Sequence, residues 1–505
     1  MSRINTNVQS LIAQRTLNAN NGALNTSLER LSTGLRINRG KDDPAGLIAS
    51  ENLRSELSAA NAAVSNAERA DQVVNIAEGG LQEISSLLTE LQGLLTASAS
   101  EAGLSREEKE ANQLQVDSIL QTIDRIASST NFQGQKLLNG NFDYQTNSIS
   151  SSVETFSVNG AKFNGSSQAV DIAVTQSAQT AGLYLSFGGS EVNLAGATGS
   201  AFTIEIAGVD GNRELSFASG TDLADVVSTI NSFTEVTGVE ATTSGTGITL
   251  TSSDYGSDAF VSVEVVTQGN IQGSGVYGFQ AGDANTIDSG SQTTYANAAN
   301  VVRDAGQDLG ATINGIQATT RGREASINTD FLDVSITVAE SASQSLANIS
   351  AFNITGGGAD FQLASDVDIA GKVSLGIPDV ASRKLGYYLD ESGATRFLDD
   401  LGNGSALNVV DGDGVAAQEV ISAAIEEVSS LRGRLGAFQQ NTIGSTIRNL
   451  QIGIENTAAA ESQIRDADFA EETASLTRNQ ILVSAATQSL TLANQQPQNV
   501  LQLLG

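Results

Sequence analysis

Apolar residues recur at helical spacing at both ends of the chain and at strand spacing in its middle. Near the N-terminus Ile4, Val8 and Leu11, then Leu24, Leu28, Leu31 and Leu35, step by three and four along an Asn- and Gln-rich segment. That spacing predicts a helix over about residues 2–37. It has little charge lacing and is marginal alone, so its stripe must meet a partner. Asp43-Pro44 then punctuates the chain. Proline fixes its own φ and turns the preceding residue out of the α region, so the helix should stop before Asp43. The same dipeptide starts a helix well, with Asp43 as cap and Pro44 at the first helical position. Residues 31–50 are therefore predicted to form a joint between two helices.

After the joint, Leu53, Leu57, Ala60, Val64 and Ala67, then Ala77, Leu81, Ile84, Leu88, Leu91 and Leu95, continue the stripe to about residue 98. At 1.5 Å per residue this helix is about 80 Å long, and its near-3.5 spacing reads as a coiled-coil-like rod. A break at 101–103 precedes a helix over about 105–128, with Val116, Ile119, Ile123 and Ile126 on one face. Turn residues fill 131–140.

From about 141 to 410 period-2 runs replace the helical stripe. Phe202, Ile204 and Ile206 alternate with Thr203 and Glu205, and Val261, Val263 and Val265 alternate with Ser262 and Glu264. Between them Thr221 or Asp222 can cap a helix carrying Leu223, Val226, Val227 and Ile230, and Ile248-Thr-Leu250 is a further strand. Residues 200–266 thus read as one small β-α-β module, and Leu332–Val338 and 361–377 as β structure. The glycine run 356–358 reads as a flexible loop. It is no phosphate cradle, because no Lys-Ser/Thr and no strand-loop-helix context follow.

The helical stripe returns from about Asp411. Val428, Leu431, Leu435 and Phe438, then Ile443, Ile447, Leu450 and Ile454, step by three and four, and Leu476, Val483 and Leu490 lie seven apart. Neither terminal stripe has a partner in its own half. The expected fold is therefore α+β multidomain: a long antiparallel, coiled-coil helical rod formed by paired N- and C-terminal segments, with a β-rich central insertion.

Composition narrows the chemistry. The 505 residues include 26 Lys+Arg against 57 Asp+Glu, a net charge of −31, and no His, Cys or Trp. Disulfides, thiolate metal sites and an H-E-x-x-H zinc site are excluded. Phosphate backbones and anionic lipid surfaces are repelled, so neither nucleic acid nor membrane insertion is expected. No apolar run is long enough to span a bilayer, and the first residues lack the apolar core of a secretory signal. Asp411-Gly-Asp413 and Asp466-Ala-Asp468 lack the remaining oxygen ligands of a calcium loop and read as caps or turns. No catalytic residue, metal ligand or cofactor is expected.

The chain resembles bacterial flagellin, the subunit of the flagellar filament. The residues that carry the resemblance are LSTGLRINRGKDDPAGLIASENL and NFQGQKLLNG in the first 140 residues, and AIEEVSSLRGRLGAFQQNTI, ENTAAAESQIRDADFAEETASLTRNQILVSAATQSL and PQNVLQLL in the last 80 or so. Residues 200–266 resemble the β-rich repeat of many flagellin central regions. The resemblance implies that residues 1–43 with 463–505 form a terminal coiled coil lining the filament core. It implies that 44–180 with 395–462 form a helical outer core, and that 181–394 form a β-rich surface-exposed region. It implies a homo-oligomeric, secreted filament that drives motility. The implied partners are a flagellar export chaperone, the export apparatus, the filament cap and hook-junction proteins.

Assembly residues implied at the joint are Leu31, Leu35, Arg36, Asn38, Lys41, Asp42, Asp43, Pro44 and Gly46, with Arg36, Arg39, Lys41, Asp42 and Asp43 forming a mixed-charge cluster suited to ion pairing between subunits. Leu53, Leu57, Leu88, Leu91, Leu95, Leu431, Leu435 and Phe438 form the rod stripe. Leu476, Ile481, Val483, Leu490, Val500, Leu501 and Leu504 form the C-terminal core helix. Many flagellins are sensed by a vertebrate innate immune receptor through an LQRVREL-type stretch. Here Glu90 stands where that pattern has its central Arg, and Gln115 and Ile119 stand where sensed members carry an acid and a base, so weak or absent recognition is expected. Competing readings are a hook–filament junction protein with the same helical ends, a flagellin carrying a protease insert, whose zinc form the absence of His rules out, and a β-rich adhesin.

Overall fold

The computed structural model describes residues 6–100, 103–163, 165–195, 201–280, 283–390 and 393–504; the side chains of 283–285 and 497–504 lie outside that description. The helices are α1 (Val8–Thr33), α2 (Pro44–Ser98), α3 (Arg106–Ser129), α4 (Leu223–Asn231), α5 (Thr234–Thr237), α6 (Glu340–Ser343), α7 (Gly414–Ala437), α8 (Gly444–Arg465) and α9 (Phe469–Leu504). Along the chain, long helices precede and follow a region of antiparallel strands, as the pattern predicts. The chain divides into two compact units. One comprises Met1–Asn75, Phe361–Lys372 and Gly433–Gly505, the other Ile76–Asp360 and Val373–Arg432.

In the first unit α1 runs to Thr33 and is capped at Gly34, short of the end expected at about residue 37. Gly34 takes φ +74° and its N–H donates to the Arg30 carbonyl at 2.8 Å. A left-handed cap of this kind suits glycine, and it acts before proline does. Downstream the expectation holds: Asp43 Oδ1 accepts from the Gly46 N–H at 2.9 Å, and Pro44 opens α2. α7 passes into α8 through one π-helical turn, Phe438–Ile443, with Ala437 and Gly444 both in right-handed helical conformation. The turn is anchored by Gln439 Nε2, which donates to Asp71 Oδ1 at 2.8 Å and Asn75 Oδ1 at 3.0 Å. Phe361 stacks 6.2 Å from Phe438.

In the second unit Leu81, Ile84, Leu88, Leu91 and Leu95 of α2 are buried. Arg432 pairs with Glu78 at 2.9 Å, and Asn112 donates to Ser98 at 2.9 Å. α3 opens on a capping box between Ser105 and Glu108 and buries Val116, Ile119 and Ile123. Its buried Gln113 donates to the Leu401 carbonyl and accepts from the Val409 N–H, each at 2.8 Å. This polar residue fastens a loop to the helix where stripe reading expects nothing.

The β region has two cores. The first joins a five-stranded sheet (Val239–Ser244, Gly247–Tyr255, Thr180–Ser186, Gly275–Gln280, Asp283–Ile287) to a four-stranded one (Val302–Ala305, Phe260–Thr267, Ala201–Ala207, Asn212–Ala218), with α4 packed in. The 200–266 module is therefore not self-contained: Thr180–Ser186 and Val302–Ala305 complete its sheets. The second core joins Ile316–Gln317, Gly310–Ile313, Gln168–Gln176, Asn348–Gly357 and Tyr144–Asn147 to Thr319–Arg321, Glu324–Asn328, Leu332–Val338 and Val153–Ala161. The boundary expected at 180 divides the second core, because its strands before 180 pair with strands at 310–357. The glycine run 356–358 is not a free loop. Gly356 and Gly357 pair with Gln145 and Tyr144 at the end of a strand, and a Cβ on Gly357 would sit 2.1 Å from the Asp143 carbonyl. Those glycines permit close backbone approach at a positive φ.

Candidate assembly surface

α1 and α9 run antiparallel. Asn7 Nδ2 donates to the Ala493 carbonyl at 2.8 Å, Asn20 Nδ2 to Leu482 at 3.3 Å, Asn479 Nδ2 to Ser27 Oγ at 3.1 Å, and Arg30 Nη1 to Glu472 Oε1 at 2.9 Å. Between Val8 and Leu28 the residues of α1 that are not exposed are Ser10, Ala13, Leu17, Asn20, Leu24 and Ser27. Across from them Glu472, Leu476, Asn479, Val483, Ala486, Leu490 and Ala493 step by four and three. Both sets keep the heptad spacing of a coiled-coil seam.

The seam is short of apolar burial. Of the described side chains on α1 and α9, only Ser27, Glu472 and Ala486 are buried. The predicted N-terminal stripe divides: Leu24 and Leu31 are half-buried, whereas Val8, Leu11 and Leu28 are exposed. Leu11 is 58% exposed, Ile481 64%, Leu492 63% and Phe469 70%. Leu476, Val483 and Leu490 lie on the seam as their seven-residue spacing implies, and Ile481 faces away from it. Val500, Leu501 and Leu504 fall in α9, and their side chains lie outside the described residues. Each exposed aliphatic side chain that becomes fully buried in a neighbour contributes about 1.5–3 kcal/mol.

The joint brings its predicted residues together. Ile37 is buried against Gly46, where a Cβ would lie 2.7 Å from Ile37 Cδ1 and 2.5 Å from Asp43 Oδ2. Asp42 Oδ2 accepts from the Arg39 N–H at 2.9 Å and the Asn38 N–H at 3.3 Å. The Arg39 N–H above all holds the Asp42 carboxyl below its ordinary value, against a weaker opposing effect of burial, with Asn38, Lys41 and Arg30 adding to the lowering. Its stabilisation is thus present above the ordinary carboxylate range and is lost as pH falls through the lowered value. Arg36 donates to the Ile464 carbonyl at 2.6 Å and Arg39 pairs with Glu29 at 2.9 Å. The cluster read as suited to pairing between subunits therefore makes these bonds within its own chain. Pro44 and Lys41 are exposed, and Leu31 and Leu35 half-buried.

Sequence reading missed the opposite side of the joint. The α8–α9 break lies against the α1–α2 break: Leu35 faces Asp466 as an antiparallel bridge, the Arg36 N–H donates to Arg465 O at 2.7 Å, and the Ala467 N–H to Gly34 O at 2.9 Å. Arg465 pairs with Glu51 at 3.1 Å. The signal was Asp466-Ala-Asp468, read as caps. Asp468 does cap α9, accepting from the Ala470 N–H at 2.8 Å, and Asp413 caps α7, accepting from Val415 at 2.9 Å. Asp411 pairs with Arg106 at 3.0 Å.

Along the rod stripe Leu53 and Leu57 are half-buried, and Leu88, Leu91, Leu95, Leu431, Leu435 and Phe438 are buried. In the receptor-type stretch Glu90 and Gln115 are exposed, while Ile119 is buried. Among the described residues no helix is long and apolar enough to cross a membrane.

Models of the bacterial flagellin N-terminal and C-terminal helical regions match residues 4–143 and 418–504, and the flagellin hook IN motif matches 201–254. The B-type flagellin of Pseudomonas aeruginosa is 31% identical over 99% of both chains. The flagellin of Salmonella choleraesuis and flagellin A of Helicobacter pylori are each 27% identical, again over 99% of both chains.

Proposed function

This chain belongs to the bacterial flagellin family, and on that premise we propose that the exposed apolar faces of α1 and α9, together with the joint, are the surfaces through which its copies assemble. Its role is structural: it is a subunit that polymerises into the extracellular flagellar filament for swimming motility. The hook-junction reading has less support, because the relatives matched along 99% of the chain are flagellins. The observation that carries the surface assignment is the poverty of the α1/α9 seam beside the exposure of Leu11, Phe469, Ile481 and Leu492. An isolated helix pair of that kind is marginal in water, and neighbours supply the missing burial.

We assign residues 1–43 with 463–505 to the inner filament core, 44–143 with 395–462 to the outer core, and 144–394, which holds both β cores whole, to the filament surface. Leu53, Leu57, Leu88, Leu91, Leu95, Leu431, Leu435 and Phe438 hold the outer core together, and Leu476, Val483 and Leu490 hold α9 on α1. The partners are flagellar. More finely, we assign the C-terminal segment, with Val500, Leu501 and Leu504, to an export chaperone before secretion, and the helical ends to contacts with the export apparatus, filament cap and hook-junction proteins. Purified chain mixed with filament seeds should grow helical filaments visible by electron microscopy. A chain that stays monomeric with seeds and precipitating salt would remove the reading.

Glu90 and Gln115 also set an expectation for immune sensing, since both are exposed and Glu90 reverses a charge of the family pattern. A like-charge contact of at least about 1.4 kcal/mol lowers potency at least about tenfold. A receptor-reporter cell assay against a sensed flagellin checks this, and equal potency would refute it.

A further inference from the structure

Among the described residues Glu472 is the only Asp or Glu that is buried, 9% exposed. Its partner is Arg30 Nη1 at 2.9 Å, while Arg30 Nε is buried without a hydrogen-bond partner. The guanidinium is thus held at one point, without the bidentate fork that strengthens such pairs, and what the layer specifies is a cation opposite the buried carboxylate. A buried carboxylate that loses its cation is strongly destabilised, whereas the intact pair adds little net stability. Such a pair specifies where two helices meet.

Its position gives that specification a use. Arg30 and Glu472 form the layer of the α1/α9 seam next to the paired helix breaks, where the Arg36 N–H already bonds to the Arg465 carbonyl and the Ala467 N–H to the Gly34 carbonyl. Closing a contact costs least entropy where the joining loop is shortest, and here the two chain segments are already bonded. Further out, half-buried Leu17, Leu24, Leu476, Val483 and Leu490 alternate with polar or small positions: Ser27 with Asn479, Asn20 with the Leu482 carbonyl, and Ser10 with Asn494 at 2.7 Å. No large apolar side chain is buried in the described part of either helix. The outer seam therefore has no strong nucleus of its own.

We propose that Arg30–Glu472 is a positioning clasp: it sets the register of α9 on α1, and the seam closes from it outward toward the termini as subunits assemble. This rests on the filament reading above. The test uses full-length Arg30→Glu, Glu472→Arg and the double exchange, each mixed with wild-type seeds. Each single variant should raise the monomer concentration left in equilibrium with filaments at least about tenfold, equivalent to about 1.4 kcal/mol. The double exchange should recover most of that loss. Hydrogen exchange of the free wild-type chain should show protection falling from Arg30 toward Asn7. Single variants that polymerise like wild type, or a double exchange that fails to recover while its thermal unfolding matches wild type, would overturn the clasp. Wild-type chain that fails to polymerise would instead overturn the filament reading.

Discussion

A chain ending at Ala485 is expected to lose seeded polymerisation while its β cores unfold at the wild-type temperature. The deletion removes Ala486, Leu490 and Ala493 from the seam, and with them the bonds that Asn7 and Ser10 make to Ala493 and Asn494. The outer half of α1 then has no facing helix, and a segment of that length does not stay helical in water. Exposed Leu492 is lost as well. Both β cores draw their buried residues from 144–354, so their packing is untouched. Sedimentation after seeding reads the first part of this result, and calorimetry the second. Polymerisation at the wild-type critical concentration would mean that the outer seam is no part of the assembly surface.

How much of this was legible beforehand differs by element. The start of α2 was readable to the residue, because Asp43 and Pro44 act on their own backbone. The end of α1 was not, because Gly34 stops the helix through a left-handed cap that an i, i+3, i+4 count passes over. The seam was half visible. Leu476, Val483 and Leu490 stood out as apolar residues seven apart, but the alternate layer of Glu472, Asn479 and Ala486 is polar or small and carries no hydrophobic signal. Leu28 and Val8 entered the stripe on spacing alone, although they face away from α9. The bridge between Leu35 and Asp466 joins positions more than 400 residues apart, and no local pattern announces a pairing of that range. The same limit explains the central module. Its strands around 202–206, 248–250 and 261–265 were evident, Asn212–Ala218 and Val239–Ser244 were not, and the partners at 180–186 and 302–305 are set by tertiary pairing.

Phe202→Ala separates stability from assembly. Phe202 is fully buried, edge-on to Phe187 with ring centroids 5.8 Å apart and to Tyr295 at 5.2 Å. Its removal leaves a cavity lined by two aromatic rings and by the Ala201–Ala207 and Phe260–Thr267 strands, which are held in place by cross-strand bonds and cannot collapse onto it. Phe→Ala substitutions in such sites cost about 3–5 kcal/mol. A core of this size should melt on the order of 10 °C lower. The Tyr295 hydroxyl, which donates to the Ser186 carbonyl at 3.1 Å, loses its packing neighbour, and local exchange at Thr180–Ser186 should rise with it. Seeded polymerisation below the new melting temperature should match wild type, because residues 144–394 are assigned to the filament surface and α1, α9 and the joint are unaltered. Unchanged melting would contradict the aromatic packing. Lost polymerisation with the helices intact by circular dichroism would move part of the assembly surface into the β-rich region.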